Sequence, residues 1–336
     1  MTPSSPPRTK ALIGVGSQPS LLDVVKRVID QAEEIVILVS FLFTSEAIVD
    51  SILRAAERGV RIYVMTASER GLNLNRSDLT DNQRRRADEH MRVLDQIVGP
   101  CMVRTSSHWH AKFVLADPDT EHAAGVLLSA NLNDGALLQS PEAMIVLTPD
   151  EVSRVFECTR VEFWSSEFEF REPRLLQRPR SLFQFSVAAF SRGIYTTTSD
   201  SNAIIDRICE MIAKSESHIF LSTYQMYLQS EVVASLEKAA RAGRKVQILV
   251  DSSDLNDDAS RFLSKAGCES RKLDWIHAKM VLVDSERGLF TSQNMEKRVG
   301  STVKRFELGI DLEGERLEDA QLWLEHWWSR GRDLPF

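Results

Sequence analysis

The sequence predicts an α/β protein built from two tandem lobes, each a mixed β-sheet flanked by helices, related by a pseudo-twofold axis. Three observations predict this fold class. The chain of 336 residues is long enough for about two domains, helix and strand patterns alternate along it, and their order occurs twice. We expect the first lobe at 1–169, a linker at 170–199 and the second lobe at 200–336.

The first lobe is expected to begin with alternating helices and strands. Ser20 is a typical N-cap residue for the first helix, and Gly59 is typical of the position just beyond the second helix. Strand, helix and strand in succession indicate a parallel βαβ unit. The predicted helix, strand, helix and strand lie at 21–29, 34–40, 45–58 and 60–65.

The second lobe repeats this order of elements. The offset between the copies is 184 positions at the second helix but 167 at a repeated motif that follows, so the first lobe has 17 additional residues, most economically at 71–91. The predicted helix, strand, helix and strand of the second lobe lie at 203–213, 218–222, 231–241 and 245–250.

The insertion in the first lobe contains three consecutive arginines, Arg84, Arg85 and Arg86. One interpretation is a solvated helix face, since acidic residues nearby can offset the charge. The other is a substrate-binding flap, because the insertion follows a strand at the sheet edge where α/β proteins usually bind ligands.

Composition and charge limit the class of protein. The content of 43% hydrophobic and 26% charged residues is ordinary for a soluble globular enzyme. A net charge of −7 argues against a protein held on nucleic acid by a bulk positive field, but it does not exclude a nuclease with local positive charge. No apolar stretch reaches the roughly 18 residues that span a bilayer, and no signal peptide is evident. We therefore expect a cytoplasmic protein without stable membrane insertion.

A short motif occurs once in each lobe. A lone His-x-Lys is weak evidence, but two copies with further residues in register are much stronger. Because side chains two apart on a strand point the same way, a hairpin would bring the His, Lys, Ser and Asn of each copy to one surface. The copies place the same residue types in the same order, at His110, Lys112, Asp117, Ser129, Asn131 and Glu142 and at His277, Lys279, Asp284, Ser292, Asn294 and Glu307.

These residues resemble the H-x-K-x(4)-D and S-x-N pattern of the phospholipase D superfamily, which contains phosphodiesterases, phosphatidyltransferases and nucleases. The resemblance covers nearly the whole chain. The sequence departs from the pattern where Leu128 and Thr291 directly precede the serines, since the family usually has Gly there. A Cβ at this position would alter how the backbone approaches phosphate, which affects efficiency more than the reaction itself.

Two copies of the motif suit a two-step cleavage of a phosphodiester. One imidazole attacks phosphorus to give a phosphohistidine, while the other donates a proton to the leaving oxygen. The lysines and asparagines of both copies would hold the nonbridging oxygens, and either the glutamates or the aspartates would fix the histidine tautomers. The resemblance implies His110 as the nucleophile and His277 as acid and then base, although the residues alone allow the reverse.

The residues around the histidines favour chemistry without a metal or another cofactor. Each histidine has a lysine ammonium as its nearest functional neighbour, which would repel a dication, and no compact group of carboxylates lies beside it. Histidines without a counterpart in the other lobe, such as His90, are interpreted as ordinary core or surface residues.

Three functions remain open from the sequence. A nuclease acting on DNA or RNA is favoured by the arginines of the insertion, and the resemblance implies a role in bacterial defence or DNA processing. A phospholipase or phosphatidyltransferase would need an exposed apolar surface near the site. An inactive nucleic-acid-binding subunit is favoured only by Leu128 and Thr291. Trp109 and Trp275, next to the motif strands, can either stack on a base of the substrate or pack in the core.

Overall fold

The chain forms two mixed β-sheets with helices packed against them, and this architecture confirms the predicted fold class. The computed structural model describes residues 11–67, 80–106, 109–166, 168–171, 174–177, 193–198, 201–296 and 305–334. No helix among these residues is both long enough and apolar enough to cross a bilayer.

The first lobe is built on a nine-stranded sheet with the order β1-β7-β6-β5-β2-β3-β4-β8-β9. Its strands are β1 (Leu12–Gly14), β2 (Ile35–Ser40), β3 (Arg61–Ala67), β4 (Cys101–Ser106), β5 (Phe113–Ala116), β6 (Ala124–Leu128), β7 (Ala143–Val146), β8 (Phe168–Arg171) and β9 (Arg174–Gln177). Its helices are α1 (Leu21–Asp30), α2 (Glu46–Glu57), α3 (Asp81–Ile97), α4 (Asp134–Leu138) and α5 (Pro149–Ser165).

The second lobe is built on an eight-stranded sheet with the order β10-β16-β15-β14-β11-β12-β13-β17. Its strands are β10 (Ile194–Thr197), β11 (His218–Thr223), β12 (Lys245–Asp251), β13 (Glu269–Leu273), β14 (Lys279–Val283), β15 (Arg287–Thr291), β16 (Glu307–Leu312) and β17 (Arg332–Asp333). Its helices are α6 (Ala203–Ala213), α7 (Glu231–Arg241), α8 (Asp257–Ser264) and α9 (Glu315–Trp328), with a 3-10 turn at Asp254–Asn256.

The two sheets share one topology around their centres. In each lobe the two strands of the βαβ unit are parallel, β2 with β3 and β11 with β12. The following motif strand is antiparallel to the first of them, so that Val39 pairs with Phe113 and Ser222 pairs with Met280. The start of each motif strand therefore lies at the carboxyl edge of β2 or β11, the edge where α/β sheets bind ligands.

Local sequence signals explain where the helices begin and end. Ser20 caps α1, because its Oγ accepts a hydrogen bond from the amide of Asp23, whose carboxylate in turn accepts from the Ser20 amide. The side chain of Ser230 caps α7 in a similar way. Gly59 and Gly243 follow α2 and α7 with φ near +89° and +88°, a left-handed conformation that glycine adopts without strain.

The apolar interior consists of three clusters of buried side chains. One lies under α1, α2 and α3 on the outer face of the first sheet, and one lies under α6 and α7 on the outer face of the second. The third cluster takes residues from both sheets, including Phe113 of β5 and Met280 of β14, together with residues of α5 and α9. The two lobes therefore share a common core.

The predicted linker at 170–199 requires correction at both of its ends. β8 and β9 form an antiparallel hairpin on the edge of the first sheet, and β10 forms the edge of the second sheet beside β16. These are strands of four residues, too short to show a clear period of two in the sequence. The rest of the predicted linker, apart from Gly193 and Thr198, lies outside the described residues.

The insertion of the first lobe forms part of a long helix. α3 has 17 residues, whereas α8 at the corresponding place in the second lobe has 8. Thr80 caps α3 through a capping box with Gln83. The predicted insertion at 71–91 thus includes the first two thirds of this helix, and its earlier part lies outside the described residues.

Candidate active site

The backbone at each motif histidine is fixed by the opposite lobe. The amides of His110 and the next residue both donate to the carbonyl of Phe306, at 3.2 and 2.9 Å. Likewise, the amides of His277 and the next residue both donate to the carbonyl of Pro141, at 3.2 and 3.4 Å. The two histidines, called the site histidines below, therefore lie at the junction of the lobes.

Each site histidine also hydrogen-bonds a carboxylate of the opposite lobe. Nδ1 of His110 is 2.7 Å from Oε1 of Glu307, and Nδ1 of His277 is 3.1 Å from Oε1 of Glu142. The Nδ1 of His277 is also 2.9 Å from the carbonyl oxygen of Ser129. Since carboxylate and carbonyl oxygens only accept, Nδ1 must be the donor in both rings. In the neutral rings this leaves the lone pair on Nε2.

The motif serines hold these carboxylates in place. The Ser292 hydroxyl donates to Glu307 at 2.5 Å, and the Ser129 hydroxyl donates to Glu142. Each serine Oγ also accepts a backbone amide at 3.0 Å, from Leu308 in the second lobe and from Ala143 in the first. The serines thus position the glutamates, and through them they orient the histidine rings.

Both motif lysines are completely buried beside the histidines. Nζ of Lys112 donates to the carbonyl of His110, and Nζ of Lys279 donates to the carbonyl of His277 at 2.7 Å. Burial lowers the pKa of Lys112 to about 8, although the two glutamates raise it. Burial and the charge of Lys112 lower the pKa of Lys279 to about 7. The two ammonium groups are therefore close enough to repel one another.

The site histidines are favoured in their neutral form. Burial lowers the pKa of His110 to about 4, with Glu307 opposing and both lysines adding to the effect. Burial also lowers the pKa of His277, with the two lysines again adding to the effect and the Glu142 carboxylate opposing it. Each ring is thus influenced by a lysine from each lobe, which indicates that the four side chains face a common space. About one fifth of each histidine side chain is exposed, 19% and 18%, so both rings remain accessible.

The glutamates are ionised in this setting. Burial alone would raise the pKa of each, but the neighbouring histidine and lysine lower it. For Glu142 these are His277 and Lys279, and the net effect is a lowered pKa. For Glu307 the corresponding neighbours are His110 and Lys112, again with a lowered pKa. The ionised carboxylates balance part of the lysine charge in the buried site.

The motif asparagines lie beside this group in different surroundings. Oδ1 of Asn131 accepts the amide of Leu42 at 3.3 Å, which leaves its amide nitrogen as a donor. Asn294 is 5% exposed, and its Oδ1 has no hydrogen-bond partner in the part of the chain that the structure describes. A buried polar atom without a partner is uncommon and suits a place where a ligand or water binds.

A protein-family model matches most of the sequence of this chain. The model, described as "Cardiolipin synthase, PLD-like domain", matches residues 25–164 and 208–328, which include both motifs. The chain belongs to the phospholipase D family. Members of this superfamily act on phosphodiester bonds or transfer phosphate. No curated protein sequence matches the chain.

Several solved structures match the fold of this phospholipase D family member. Polyphosphate kinase from Porphyromonas gingivalis matches with a TM-score of 0.61 and 15% identity, over 94% of this chain and 49% of that one. Phosphatidylserine synthase from Haemophilus influenzae Rd KW20 matches with a TM-score of 0.59 and 12% identity, over 96% and 87%. Nuc, a phospholipase D family member from Salmonella typhimurium, matches with a TM-score of 0.38 and 18% identity, over 42% and 97%. The chain spans about half the length of the polyphosphate kinase.

The motif aspartates of this phospholipase D family member do not contact the site histidines. Of the two groups that the sequence offered for fixing the histidine tautomers, the aspartates are therefore excluded and the glutamates remain. The carboxylate of Asp117 accepts three consecutive backbone amides at 33–35, each at 2.8 Å. Asp284 accepts the amides at 216–218, at 2.8 to 2.9 Å, and these bonds lower its pKa to about 2 although burial opposes them. Both aspartates therefore fix the turn that leads into β2 or β11.

The two residues that depart from the family pattern fit into the interior. Leu128 is completely buried in the core of the first lobe, and its amide donates to the carbonyl of Lys112 at 2.8 Å. Thr291 is also buried, and its hydroxyl donates to the carbonyl of Leu308 at 3.0 Å. Both side chains thus have partners within the fold.

Trp109 and Trp275 differ in their environments. Trp109 is 1% exposed in the core shared by the lobes, so of the two alternatives it packs in the core and does not stack on a substrate. The sequence did not distinguish it from Trp275, because both lie just before a motif strand. Trp275 is 67% exposed.

The three arginines of the insertion also differ. Arg84 pairs with Asp81 at 2.8 Å and Arg85 approaches Glu89 at 3.8 Å, both along α3. These two arginines fit the interpretation of a solvated helix face. Arg86 is exposed, and its charge lowers the pKa of Tyr224 in the second lobe, although burial raises the pKa of that tyrosine overall. Arg86 therefore lies near the junction of the lobes.

An aromatic ring packs on each site histidine, a feature that the motif analysis missed. The ring of Phe41 lies 5.8 Å from that of His110, and the ring of Tyr224 lies 5.1 Å from that of His277, both at 58°. Phe41 directly follows β2, and Tyr224 directly follows β11. A comparison of the two repeated strands beyond their last residues could have identified this pair.

Two buried polar residues hold the loops that carry these rings. Nδ1 of His90, on α3, is 3.0 Å from both the amide nitrogen and the carbonyl oxygen of Phe43. In the second lobe the amide of Met226 donates to Oδ1 of Asn256 at 2.9 Å, and Nδ2 of Asn256 donates to the carbonyl of Tyr224 at 3.0 Å. His90 and Asn256 thus have the same role, although their different residue types concealed it in the sequence.

No group of three or more His, Cys, Asp or Glu side chains with the geometry of a metal site occurs within the described ranges. The carboxylates nearest the histidines are already bound to a histidine and a serine. The side chains at the junction of the lobes therefore offer two imidazoles, two ammonium groups and amide groups to an anionic ligand.

Proposed function

We propose that the protein is a metal-independent phosphodiesterase that cleaves nucleic acid through a phosphohistidine intermediate. The observation that carries the proposal is the pair of hydrogen bonds from the site histidines to glutamates of the opposite lobes. These bonds hold the hydrogen on Nδ1 in both rings and leave Nε2 available for reaction with a phosphate.

In the first step, Nε2 of His110 attacks phosphorus and forms an N–P bond while the bond from phosphorus to the leaving oxygen breaks. The leaving oxygen takes a proton from Nε2 of His277. His277 acquires this proton when the substrate binds, because the negative phosphodiester raises the pKa of a nearby imidazole. The low pKa of His110, about 4, keeps the nucleophile in its neutral form.

In the second step, His277 accepts a proton from water as the water oxygen attacks phosphorus. The N–P bond breaks and its electron pair returns to Nε2 of His110, while His277 is protonated again as in the substrate complex. His277 releases this proton to solvent when the phosphomonoester product leaves. Lys112 and Lys279 stabilise the negative charge of the five-coordinate transition state, since buried ammonium groups act strongly on charge in a water-poor site. The amide groups of the motif asparagines provide further donors to the nonbridging oxygens.

The proposal of a nucleic-acid substrate is supported by positive charge on the side of the site where Tyr224 packs on His277. Arg86 acts on Tyr224, whose ring packs on His277. An arginine on this side can bind a phosphate adjoining the one that is cleaved. The overall charge of −7 makes such local contacts necessary for binding a polyanion.

A lipid phosphodiester is the second candidate, and a specific observation favours it. Exposed apolar side chains lie in the loops that follow β11, β12 and β13, at the same sheet edge as His277. They are Tyr227, Leu228, Leu255 and Trp275, with exposures of 37, 41, 59 and 67%. Such side chains can enter the interfacial region of a membrane. The family model's description also names a lipid enzyme, cardiolipin synthase.

The test compares substrates under chelation and then labels the enzyme. The purified protein is incubated in excess chelator with single- and double-stranded DNA, RNA, and vesicles of phosphatidylcholine and phosphatidylglycerol. We expect cleavage of nucleic acid. With an aryl phosphodiester, whose leaving group needs no proton, His277→Ala should accumulate phosphate on His110, because no base then activates water.

The control is His122→Ala, since His122 is an exposed histidine with 56% of its side chain accessible. It should turn over without accumulating label. Loss of cleavage in chelator with recovery on adding metal would overturn the mechanism. Cleavage of the vesicles alone would replace the nuclease by the lipid candidate, and label on His277 in the His110→Ala variant would reverse the two roles.

A further inference from the structure

We propose that Trp275 forms a stacking subsite for an unpaired nucleobase, on the nucleotide that departs with the leaving oxygen. The inference rests on the proposed function and narrows its substrate to single-stranded nucleic acid, because a base paired in a duplex has no free face to stack. It starts from the backbone of Trp275 and not from its residue type alone.

Trp275 has a backbone conformation that a bulky residue seldom adopts. Its φ is +65°, in the left-handed region, which glycine and asparagine enter far more easily. The residue belongs to the turn between β13 and β14, where the amide of Ile276 donates to the carbonyl of Leu273 at 3.4 Å. A smaller residue would satisfy that turn with less strain, so the turn does not account for the indole.

A buried carboxylate maintains this conformation. Asp251, the last residue of β12, is 8% exposed, and its Oδ2 accepts the amide of Trp275 at 2.9 Å. Its Oδ1 accepts the amide of Ser253 at 3.0 Å. Asp251 is thus fixed from two directions, and it holds the backbone that carries the indole.

The conformation separates two neighbouring apolar side chains. Ile276 is completely buried, at the position that corresponds to the buried Trp109 of the first lobe. Trp275 is turned outward, and two thirds of it is exposed. When a flat ring stacks on this exposed indole, the protein loses little conformational entropy, because the backbone that carries the indole is already ordered.

The indole lies close to the proposed chemistry. Trp275 is two residues from His277, and Asp251, which holds it, also raises the pKa of Tyr224 in addition to the effect of burial. The Tyr224 ring packs on His277 at 5.1 Å. Tyr224 therefore lies near both His277 and the Asp251 carboxylate that holds the backbone of Trp275, and the charge of Arg86 also acts on it. An indole held by Asp251 and an arginine charge that both act near Tyr224 suit a base and its phosphate.

This subsite breaks the symmetry of the two lobes. β3 and β12 both have seven residues and occupy the same place in their sheets, but β3 ends with Ala67 where β12 ends with Asp251. The first lobe therefore has no carboxylate at the equivalent position to hold such a turn. Because the subsite adjoins His277, the proposed acid, the base that it binds belongs to the leaving group.

The test is a double cycle of enzyme and substrate variants. The substrates are a dinucleoside phosphate and its analogue in which the leaving nucleoside lacks its base. The wild-type protein should prefer the first by about 5- to 150-fold in kcat/KM, the range that stacking on an aromatic residue provides. Trp275→Ala should bring the ratio between the two substrates close to one, mainly through KM. Trp275→Tyr should retain part of the preference.

The control is Leu322→Ala, because Leu322 is an apolar residue of α9 with 65% exposure, and it should leave the preference as in the wild type. If Trp275→Ala lowers kcat/KM equally for both substrates, so that their ratio stays as in the wild type, the subsite is refuted. If the variant instead loses binding to phosphatidylglycerol vesicles while its substrate ratio stays unchanged, Trp275 is a membrane contact and the subsite is refuted. Failure of the wild type to cleave either substrate would refute the proposed function itself.

Discussion

At the scale of single residues, Glu142 and Glu307 determine which nitrogen of each site histidine can react. We expect Glu307→Gln to slow phosphorylation of His110 by about 10²- to 10⁴-fold, because a glutamine amide no longer fixes the tautomer. The effect should be the same for natural and aryl substrates. Glu142→Gln should slow natural substrates much more than aryl substrates, since it acts on the proton donor. Rapid quenching with labelled substrate measures both rates.

Glu121→Gln is the matched control, because the Glu121 side chain is 89% exposed in a loop of the first lobe. It should leave both rates as in the wild type. If label forms on His110, but Glu142→Gln and not Glu307→Gln blocks its formation, then each carboxylate serves its own lobe and the crossed assignment is wrong.

The buried charges of the site predict an unusual pH profile. We expect kcat/KM to fall in acid toward about pH 4, where His110 gains a proton and loses its nucleophilic lone pair. In alkali it should begin to fall below about pH 6.5, the ordinary histidine pKa, because the leaving oxygen needs the proton of His277 and the pKa of His277 is lowered in the free enzyme. The fall should steepen between about pH 7 and about pH 8, as Lys279 and then Lys112 lose the charge that attracts the phosphate. The free enzyme's groups determine this profile. An alkaline limb near the ordinary lysine pKa of about 10.4 would contradict the lysine assignment.

The sequence predicted the residues of the candidate site but not all of their partners. The motif placed the histidines, lysines, serines, asparagines and glutamates, because their spacing is local and occurs twice. The contact of His110 with Glu307 spans 197 positions, and that of His277 with Glu142 spans 135. No local pattern encodes such pairs. The role of Asp117 was also hidden, because its three amide partners lie 82 to 84 positions away.

At the scale of elements, the loops after β2 and β11 connect the sheets to the site. His90→Leu should leave the buried backbone of Phe43 without a partner, at a cost of about 1–3 kcal/mol, and should lower kcat by loosening the loop that carries Phe41. His90→Asn should restore most of kcat, since Asn256 performs this role in the second lobe. Single-turnover rates and chemical unfolding measure the two effects.

The reciprocal exchange at Asn256 provides the comparison. Asn256→Leu should impair the second lobe in the same way, and Asn256→His should recover part of the loss. Equal impairment by the asparagine and leucine variants of His90, with stability unchanged, would show that His90 does not act through this hydrogen bond.

Helices were easier to predict than edge strands. α6 and α7 lie where the sequence placed them, at Ala203–Ala213 and Glu231–Arg241, because both have a clear apolar periodicity. Gly243 also marks the end of α7. The hairpin of β8 and β9 was taken for a linker, since strands of four residues give little periodicity. Their pairing with β4 depends on a sheet edge that only the folded lobe provides.

At the scale of the whole molecule, the core shared by the two sheets predicts a single unfolding unit. Leu324 of α9 is completely buried in that core. We expect Leu324→Ala to lower the free energy of unfolding by about 2–5 kcal/mol while the transition remains two-state. Far-ultraviolet circular dichroism and tryptophan fluorescence should then give coincident curves.

Leu322→Ala tests the same helix on its exposed side and should change the free energy of unfolding by less than about 0.5 kcal/mol. Two separate transitions in the Leu324→Ala variant would show that the lobes are stable independently. The salt bridge of Arg316 with Glu151 at 2.6 Å, which also joins the lobes, would then be insufficient to couple them.

The exchange of carboxylates between the lobes also bears on how such a chain can change over generations. A repeat usually leaves one copy free to vary, because the other copy still performs the original task. Here neither copy is spare, since each contains the histidine of one unit and the carboxylate of the other. A substitution at Glu142 is felt at His277, and one at Glu307 is felt at His110. Substitutions in one half are therefore constrained by the other half. A chain reduced to either half would retain a histidine without its carboxylate.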